Sequence, residues 1–316
     1  MRIGWKLTYM DVPRPDCQTP VLFLIHRRPR HASRVLEGIR QARPARLLVA
    51  GDGPENDAAC QETRRIVLEG IDWPCDVVPR FSETRLGCRR AVASALDWAF
   101  GHHEALIVLE DDCVPAPGFF GFCQAMLERY HDSEEIMQIC GSNLIGSCQG
   151  EASYFFSRFG PIWGWASWRR AWESYDVELN AWPETRKSGR LKALCPEPFE
   201  AAWRKEVLDE VHRGDLDTWD YQWAFAKLAR SGLNIVPSTN LVSNIGFGHD
   251  ATHTSDPNDP RADLPTTDLS WPLSHPEQIQ ASEEADRRYL SEVVGLPKTL
   301  WSAAGLRRSL RMLLKR

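Results

Sequence analysis

Several features that define other classes of protein are missing from this sequence of 316 residues. The opening stretch MRIGWKLTYMDVPRPD has no apolar segment of the kind that a secretory signal needs. No apolar run approaches the roughly 18 residues that a membrane-spanning helix requires. The formal net charge is −5, which argues against nucleic acid as a main partner. We therefore expect no secretion, no membrane span and no nucleic-acid binding.

Paired cysteines are missing as well. The chain has nine cysteines, an odd number, and none of them forms a Cys-x-x-Cys pair. This usage argues against a disulfide framework and against a cysteine zinc site. It predicts mostly buried thiols in a reducing cytoplasm.

What the sequence does contain is the composition of an ordinary globular protein, 43% hydrophobic and 26% charged. Up to Cys140, strand-like apolar runs alternate with patterns of helical spacing. The runs are VLFLI, RLLVA, CDVVPRF, ALIVL and IMQIC. This alternation predicts an α/β protein with a mostly parallel, Rossmann-like sheet flanked by helices. After Gly141 the clean alternation stops, and we predict helices and irregular segments in that tryptophan-rich half.

Three consecutive acids, Glu110, Asp111 and Asp112, end the apolar run ALIVL. Like charges this close destabilise one another unless a cation or a set of donors neutralises them. One interpretation is a solvated acidic turn. The other is a site for a hard divalent cation that also binds phosphate oxygens. The position favours the cation, because ligands of such sheets bind beyond the carboxyl ends of the strands.

The acid triplet and the following VPAPGFF resemble the metal motif of GT-A glycosyltransferases, and the chain is similar to the inverting N-acetylglucosaminyltransferase I type. Four further segments resemble that family in the same order along the chain. They are LFLIHRRPRHASRVLEGI, FGPIWGWASWRRAWESYD, TWDYQWAF and LVSNIGFGHDATHT. The resemblance departs from the family at the turn HRR, which replaces an acid-led turn.

The resemblance implies a role for each matching residue. Asp112 would coordinate Mn²⁺ or Mg²⁺, Asp111 would face the ribose, and Glu110 would face a hydroxyl of the donor sugar. The other donor-side residues are Arg27 near the uridine diphosphate, Asp52 at the uracil edge, and Val242 with Ser243 as the pair that closes over the nucleotide. Asp220 would be the catalytic base.

The implied function is metal-dependent, inverting transfer of a hexose or N-acetylhexosamine from a nucleotide sugar, expected to be UDP-linked. The acceptor would be a saccharide or a lipid-linked glycan. We predict a GT-A domain over residues 1–256, with a donor-binding half at about 20–145 and an acceptor and catalytic half at about 146–256. A flexible, Pro- and Asp-rich loop would follow at 257–276, and a helical tail at 277–316.

Two other classes of function stay open. A sugar-1-phosphate nucleotidyltransferase also uses an α/β sheet and a metal, but it should carry a Gly-rich basic loop after the first strand, and HRRPRH has no glycine. A non-catalytic carbohydrate-binding protein would use the tryptophans, but it would not need the acid triplet beside a base.

Asp220 also has a physical case as a base. The segment DLDTWDYQWAFAKLA is typical of a helix start with Thr218 as N-cap. An inverting transfer needs one carboxylate to take the proton of the acceptor hydroxyl. Trp219 and Trp223 would supply aromatic walls suited to sugar rings. Alternatively, Asp220 is only a first-turn acid that favours the helix dipole. Asp215 and Asp217 are rival candidates.

The remaining tryptophans divide into two groups. Trp165, Trp168 and Trp172 are spaced like one face of a helix, which predicts packing in the core. Trp163 lies off that stripe and is a candidate to contact the acceptor, as is Trp219.

His249 and His253 lie in GFGHDATHT, where glycines permit close backbone approach. Each could be an ordinary surface histidine, or a neutral imidazole that completes the metal site, with His253 favoured. Arg85 lies in RLGCRR and could pair with the donor phosphates, or simply begin an exposed helix.

The C-terminal segment LWSAAGLRRSLRMLLKR combines leucines with many basic residues. It could be a helix that docks on the protein through its leucines. It could also be an interfacial helix that holds the enzyme at an anionic cytoplasmic leaflet, as polysaccharide biosynthesis on a lipid carrier would require. We therefore expect a cytoplasmic protein, with peripheral contact to the inner face of the membrane under the second interpretation.

Overall fold

The computed structural model describes residues 17–54, 56–146, 152–197, 199–248, 256 and 259–297. The predicted metal ligands His249 and His253 lie outside these residues, and so does the basic part of the predicted C-terminal tail. Within the described residues, no helix is long and apolar enough to cross a bilayer.

A large mixed sheet organises the described part of the chain. Its strands lie in the order β3-β2-β1-β4-β8-β6-β9-β7. Six of these run parallel to one another, and β7 and β8 run antiparallel to them. The strands are β1 (Val21–Ile25), β2 (Arg46–Gly51), β3 (Asp76–Phe81), β4 (Ala105–Glu110), β6 (Ile136–Cys140), β7 (Tyr154–Ser157), β8 (Trp165–Trp168) and β9 (Leu233–Pro237). A small antiparallel pair is formed by β5 (Cys113–Pro115) and β10 (Val242–Asn244).

Helices connect and cover these strands. They are α1 (Pro29–Ala42), α2 (Ala58–Glu69), α3 (Cys88–His102), α4 (Gly118–Arg129), α5 (Arg169–Trp172), α6 (Trp182–Ser188), α7 (Arg190–Leu194), α8 (Glu200–Arg213), α9 (Asp220–Ala229) and α10 (Glu283–Arg288), followed by a π-helical turn (Tyr289–Val293). A large, mostly parallel sheet flanked by helices confirms the predicted α/β fold class.

Both faces of the central strands are buried, each against its own layer of helices. Phe23 and Ile107 pack in a cluster that includes side chains of α1 and α4. Leu22 and Val108 pack in a second cluster with side chains of α3 and α9. Successive residues of a strand point to opposite faces, which is why neighbours in sequence belong to different clusters. Full burial of one such side chain stabilises the fold by about 1.5–3 kcal/mol.

The second half of the chain contributes more strand than its sequence predicted. β7, β8 and β9 extend the sheet beyond β4, so helices and irregular segments alone were the wrong prediction there. Trp165 and Trp168 lie on a strand rather than a helix, and they pack in different clusters on the two faces of the sheet. The predicted core role of both is confirmed, because they are 0% and 2% exposed.

The described residues between 259 and 276 form no helix or strand, and hydrogen bonds hold them to the sheet. The backbone N–H of Asp263 donates to the carbonyl of Asn244 (2.9 Å), and that of Thr267 donates to the carbonyl of Asn240 (2.9 Å). The N–H of Gly118 at the start of α4 donates to the carboxylate of Asp268 (2.8 Å). These bonds place residues 259–268 alongside β10 and the sheet edge.

Candidate active site

A cavity of about 1590 Å³ lies beyond the carboxyl ends of β1, β2 and β4 and continues along α9. Its volume exceeds the roughly 300–1,000 Å³ typical of a site for one small molecule. The cavity therefore has room for two substrates side by side.

The acid triplet lies at the cavity, where β4 ends. The backbone N–H of His26 donates to Oδ2 of Asp111 (2.9 Å), which is 8% exposed. Nη1 of Arg28 lies 2.6 Å from Oδ2 of Asp112 and 4.0 Å from Oδ1 of Asp111. One guanidinium thus faces two of the three carboxylates.

Among the described residues, Arg28 is the one cation that forms an ion pair with the triplet. Burial raises the pKa of Glu110 well above its usual value, and the charges of Asp112, Asp111 and Asp220 add to the increase. Burial, followed by the charge of Asp112, raises the pKa of Asp111 to about 7. The charge of Arg28 opposes both increases without cancelling them.

The fit of a divalent cation can be tested on these contacts. Among the described residues, no three His, Cys, Asp or Glu side chains are grouped to hold a metal ion. Mg²⁺, however, is commonly held by one or two carboxylates together with substrate phosphates. Asp111 and Asp112 offer hard oxygen ligands, and the single guanidinium of Arg28 balances only part of their negative charge. The residues therefore fit a cation shared with a phosphorylated ligand.

Gly246 covers the carboxylate of Asp112 from the loop that follows β10. A Cβ atom at this glycine would lie 2.0 Å from Oδ2 of Asp112 and 2.8 Å from Nη1 of Arg28. The backbone N–H of Ile245 also donates to the carbonyl of Asp112 (2.9 Å). This close approach requires glycine, because any side chain at 246 would displace the ion pair.

The basic turn after β1 presents Arg28, not Arg27, to the triplet. Arg27 is half exposed and pairs with Asp57 at the start of α2 (3.0 Å), although it also lines the cavity. Sequence reasoning selected Arg27 and missed Arg28. The turn HRR contained both, and no strand periodicity extends beyond Ile25 to distinguish them.

Asp52, at the end of β2, is 9% exposed and accepts three backbone hydrogen bonds. Its Oδ1 accepts from Gly53 (2.8 Å) and Leu86 (2.8 Å), and its Oδ2 accepts from Gly87 (3.1 Å). It thereby fixes the loop that carries the exposed Arg85 at the cavity wall. The predicted contacts of Asp52 with uracil and of Arg85 with phosphate stay predictions.

The side chains of Val242 and Ser243 make contacts within the fold. Val242 is 1% exposed, and a Cβ at Gly141 would lie 2.5 Å from its Cγ2. The hydroxyl of Ser243 donates to Oδ1 of Asp263 (3.0 Å). The residue of β10 that lines the cavity is Asn244, the next one along the chain. This placement differs from the predicted role of the Val242–Ser243 pair, because both side chains pack or hydrogen-bond away from the cavity.

Asp220 begins α9 and lines the same cavity as the triplet. The hydroxyl of Thr218 donates to Oδ1 of Asp220. Thr218 is therefore not the helix cap that the sequence predicted. Trp219 holds that position, and its side chain makes no capping bond. Among the described residues, Oδ2 of Asp220 accepts no hydrogen bond and is available to a ligand.

The two rival acids have other partners. Asp217 accepts the backbone N–H groups of Cys88 (3.1 Å) and Arg89 (3.0 Å), so it caps α3 from a distant part of the chain. Asp215 is exposed at the surface and pairs with Arg213 (2.8 Å). The structure thus favours Asp220 among the three.

The two tryptophans predicted to contact an acceptor differ in exposure. Trp163 is half-buried, lines the cavity and meets Phe247 edge to face, with ring centroids 5.6 Å apart. Trp219 is only 2% exposed and stacks on Trp165 at 5.7 Å. Trp219 nevertheless lines the cavity, so its predicted contact with an acceptor stays a prediction.

Beyond Asp220 the cavity continues into a second part, which we call the side chamber. Its lining residues are Arg158, Phe159, Trp203, Arg204, Lys227 and Tyr289. None of the six was singled out from the sequence. Lys227 alone gave a signal, as a lysine inside the apolar helical stretch WAFAKLA.

Comparisons with known proteins give distant similarities. No protein-family model matches the chain, and no curated protein sequence matches it. Similar solved structures include TarS of S. aureus, with 12% identity over 44% of this chain and 24% of that one and a TM-score of 0.32. A UDP-glucose pyrophosphorylase complexed with UDP-glucose has 9% identity over 70% of this chain and 90% of that one, with a TM-score of 0.39.

A third similar structure is the galactosyltransferase LgtC in complex with donor and acceptor sugar analogues. It has 11% identity over 54% of this chain and 66% of that one, with a TM-score of 0.32. The chain thus spans less than two thirds of the TarS and LgtC chains. All three TM-scores lie below 0.5, a level at which we draw no inference about activity.

Proposed function

We propose that this protein is a glycosyltransferase of the GT-A type that moves a sugar from a nucleotide-diphosphate donor, UDP-linked, to a hydroxyl of a saccharide or lipid-linked acceptor. One observation supports the proposal above the others. A single cavity joins the acid triplet after β4, the basic turn after β1 and the carboxylate of Asp220 on α9.

The donor diphosphate would bind between the basic turn and the triplet. Arg28 lies against Asp112, and Arg27 and Arg85 line the same part of the cavity. Asp111 and Asp112 would hold Mg²⁺ or Mn²⁺ together with the diphosphate oxygens. The bound ion would neutralise the negative charge that develops on the leaving diphosphate.

The reaction would proceed by a single displacement at the anomeric carbon. The acceptor oxygen forms a bond to that carbon, and the carbon–oxygen bond to the diphosphate breaks, so UDP departs with the bonding electrons. Asp220 takes the proton of the acceptor hydroxyl. Thr218 binds Oδ1 of Asp220 and thereby orients the carboxylate, with Oδ2 directed to the proton.

The test is a panel of nucleotide sugars with mixed glycan acceptors, with and without Mn²⁺, read by mass spectrometry. Transfer with release of the nucleoside diphosphate supports the proposal. Formation of a nucleotide sugar from UTP and a sugar 1-phosphate, with pyrophosphate release, would instead identify a nucleotidyltransferase. Glycan binding with no turnover of any donor would identify a carbohydrate-binding protein.

The membrane contact of the basic tail stays a separate proposal, since residues 298–316 lie outside the described part of the chain. Its test is co-sedimentation with anionic vesicles at low salt, for the full chain and for a truncation after Leu296. We expect only the full chain to sediment. If the full chain stays in the supernatant, it does not bind such membranes.

A further inference from the structure

The side chamber is walled by aromatic rings and cationic groups. Phe159 and Tyr289 stack with ring centroids 5.0 Å apart. The guanidinium of Arg204 lies over Phe159 at 4.9 Å and over Trp203 at 5.3 Å. Aromatic faces suit sugar rings, and guanidinium groups suit oxyanions.

Two buried carboxylates balance the two arginines of the chamber. Nε of Arg158 pairs with Asp286 (2.7 Å), and its Nη1 pairs with Glu200 (3.4 Å). Arg204 pairs with Glu200 through Nε (2.9 Å). Arg158 and Arg204 thus share Glu200, so the two guanidinium groups and the two carboxylates form one network. This network ties α8 and α10 to the end of β7, which accounts for its structural role.

Lys227 is a third cation, and no carboxylate balances it. Its side chain is 3% exposed, and its ammonium donates to the amide oxygens of Gln138 and of Asn234 (2.7 Å). Among the described residues, no Asp or Glu lies within ion-pair distance of it. Burial, together with a smaller contribution from the charge of Arg204, lowers the pKa of Lys227 to about 7. Lys227 is thus a buried cation of the chamber that has no carboxylate partner among the described residues.

The position of the chamber places it on the acceptor side of Asp220. Lys227 lies about two turns, or ~10 Å, along α9 from Asp220. The charge of Asp220 acts on the pKa of both Glu110 and Lys227, so the first residue of α9 lies near the triplet and the helix extends from there to the chamber.

We infer that the side chamber binds an oxyanion of the acceptor, a carboxylate or phosphate carried by a sugar, with Arg204 as its main contact. This inference rests on the proposed function in one respect: that the bound sugar is the acceptor of the transfer. The anion would supply the missing counter-charge of Lys227, and the aromatic walls would hold the sugar ring that carries it. A neutral saccharide would leave Lys227 without a counter-charge.

The experiment compares three sugars that differ in charge: methyl glucoside, methyl glucuronide and glucose 6-phosphate. Ligand-observed NMR titration of the full chain gives a dissociation constant for each, without donor or turnover. We expect at least one anionic sugar to bind about tenfold tighter than the glucoside, the size of one charged hydrogen bond. The two anionic arms show whether carboxylate or phosphate is preferred.

Three variants locate the binding. Arg204→Gln should abolish the preference for the anionic sugar. Arg65→Gln, an exposed and ion-paired arginine on α2 outside the cavity, should keep it. Arg85→Gln at the donor end should keep it too. Equal binding of all three sugars, or a preference that disappears in Arg85→Gln and survives in Arg204→Gln, would overturn the inference.

A second measurement covers the case in which Arg204→Gln does not fold. In the wild-type chain with ¹³C-labelled lysine, the Cε signal of Lys227 should titrate at higher pH with the anionic sugar and stay in place with the glucoside. No displacement with either anionic sugar would overturn the inference. Arg204-dependent binding without sugar transfer from any donor would retain the anion site and refute glycosyl transfer.

Discussion

The buried ionisable groups at the two ends of the cavity are of opposite sign. At the donor end, two of the three adjacent carboxylates of the triplet pair with one guanidinium, and Asp111 is 8% exposed with its pKa raised to about 7. In the side chamber, Arg158 and Arg204 pair with buried carboxylates, whereas Lys227 has none and is 3% exposed with its pKa lowered to about 7. Burial is the main cause at both ends. The triplet is therefore suited to a cation, and the side chamber to an anion.

The ends also differ in how they are assembled. The triplet is one contiguous stretch at the end of β4, so a single strand positions it. The charges of the side chamber come from the end of β7, from α8, from α9 and from α10. A site like the triplet can be predicted from a local sequence motif. A site like the side chamber forms only after distant elements pack together. The following predictions test this difference, from the largest expected effect to the smallest.

Substitution of Asp220 should show the largest effect. Asp220→Asn should lower kcat by roughly 10²–10⁴-fold, the usual contribution of a general base, with UDP affinity near that of the wild type. Steady-state kinetics and calorimetry with UDP measure the two quantities. Asp215→Asn, at the exposed surface, is the matched control and should keep kcat. Collapse of UDP binding in Asp220→Asn would show that its role is misassigned.

Removing a carboxylate from the donor end should weaken nucleotide binding and leave ligand binding in the side chamber unchanged. Asp112→Ala should weaken Mn²⁺-dependent UDP binding by at least about 10–100-fold. Fold stability should change little, because Asp111 lies 4.0 Å from Arg28 and can take over the ion pair. Calorimetry with UDP and Mn²⁺ is the measurement, and Asp132→Ala, a 97% exposed acid, is the control. Undiminished affinity would remove Asp112 from the proposed metal site.

The buried lysine of the side chamber should change how the stability of the fold depends on pH. The folded-state pKa of Lys227 is lowered from 10.5 to about 7, so between these values the unfolded chain binds more protons than the folded one. Stability contributed by this site therefore rises with pH across that window. Relative to Lys227→Met, the wild type should gain about 2 kcal/mol between pH 7 and 9.

Urea unfolding at the two pH values measures this gain. Lys205→Met, an exposed lysine on α8, should follow the wild type. If the wild type and Lys227→Met change in parallel, the ammonium of Lys227 is not titrating in this range.

The smallest effect concerns Asp217, the carboxylate that caps α3. Asp217→Ala removes the acceptor of two N–H groups at the start of α3 and should cost about 1 kcal/mol of stability. Asp215→Ala should cost nothing measurable, because a single exposed ion pair contributes little. Thermal unfolding distinguishes them. Equal stability of the two variants would mean that Asp217 does not cap α3.

Sequence periodicity was sufficient where local spacing decides structure. The apolar runs up to Cys140 became β1, β2, β3, β4 and β6, and the predicted position of the acid triplet at a strand end was confirmed. It failed at Trp165 and Trp168, whose spacing suits a helix. There, pairing with β4 and β6 on both sides supplies backbone hydrogen bonds that outweigh the local pattern.

By itself, then, the sequence determined the α/β class, the central strands and the candidate acids Glu110, Asp111, Asp112 and Asp220. Tertiary structure alone decided which neighbour does what: Arg28 rather than Arg27 at the triplet, Trp219 in the core, Asp217 as a cap of α3. It also built the side chamber, because Arg158, Arg204 and Lys227 carry no shared local pattern. The physical reason is the same in each case. A side chain's charge and burial depend on groups that only the packed chain brings within a few ångströms.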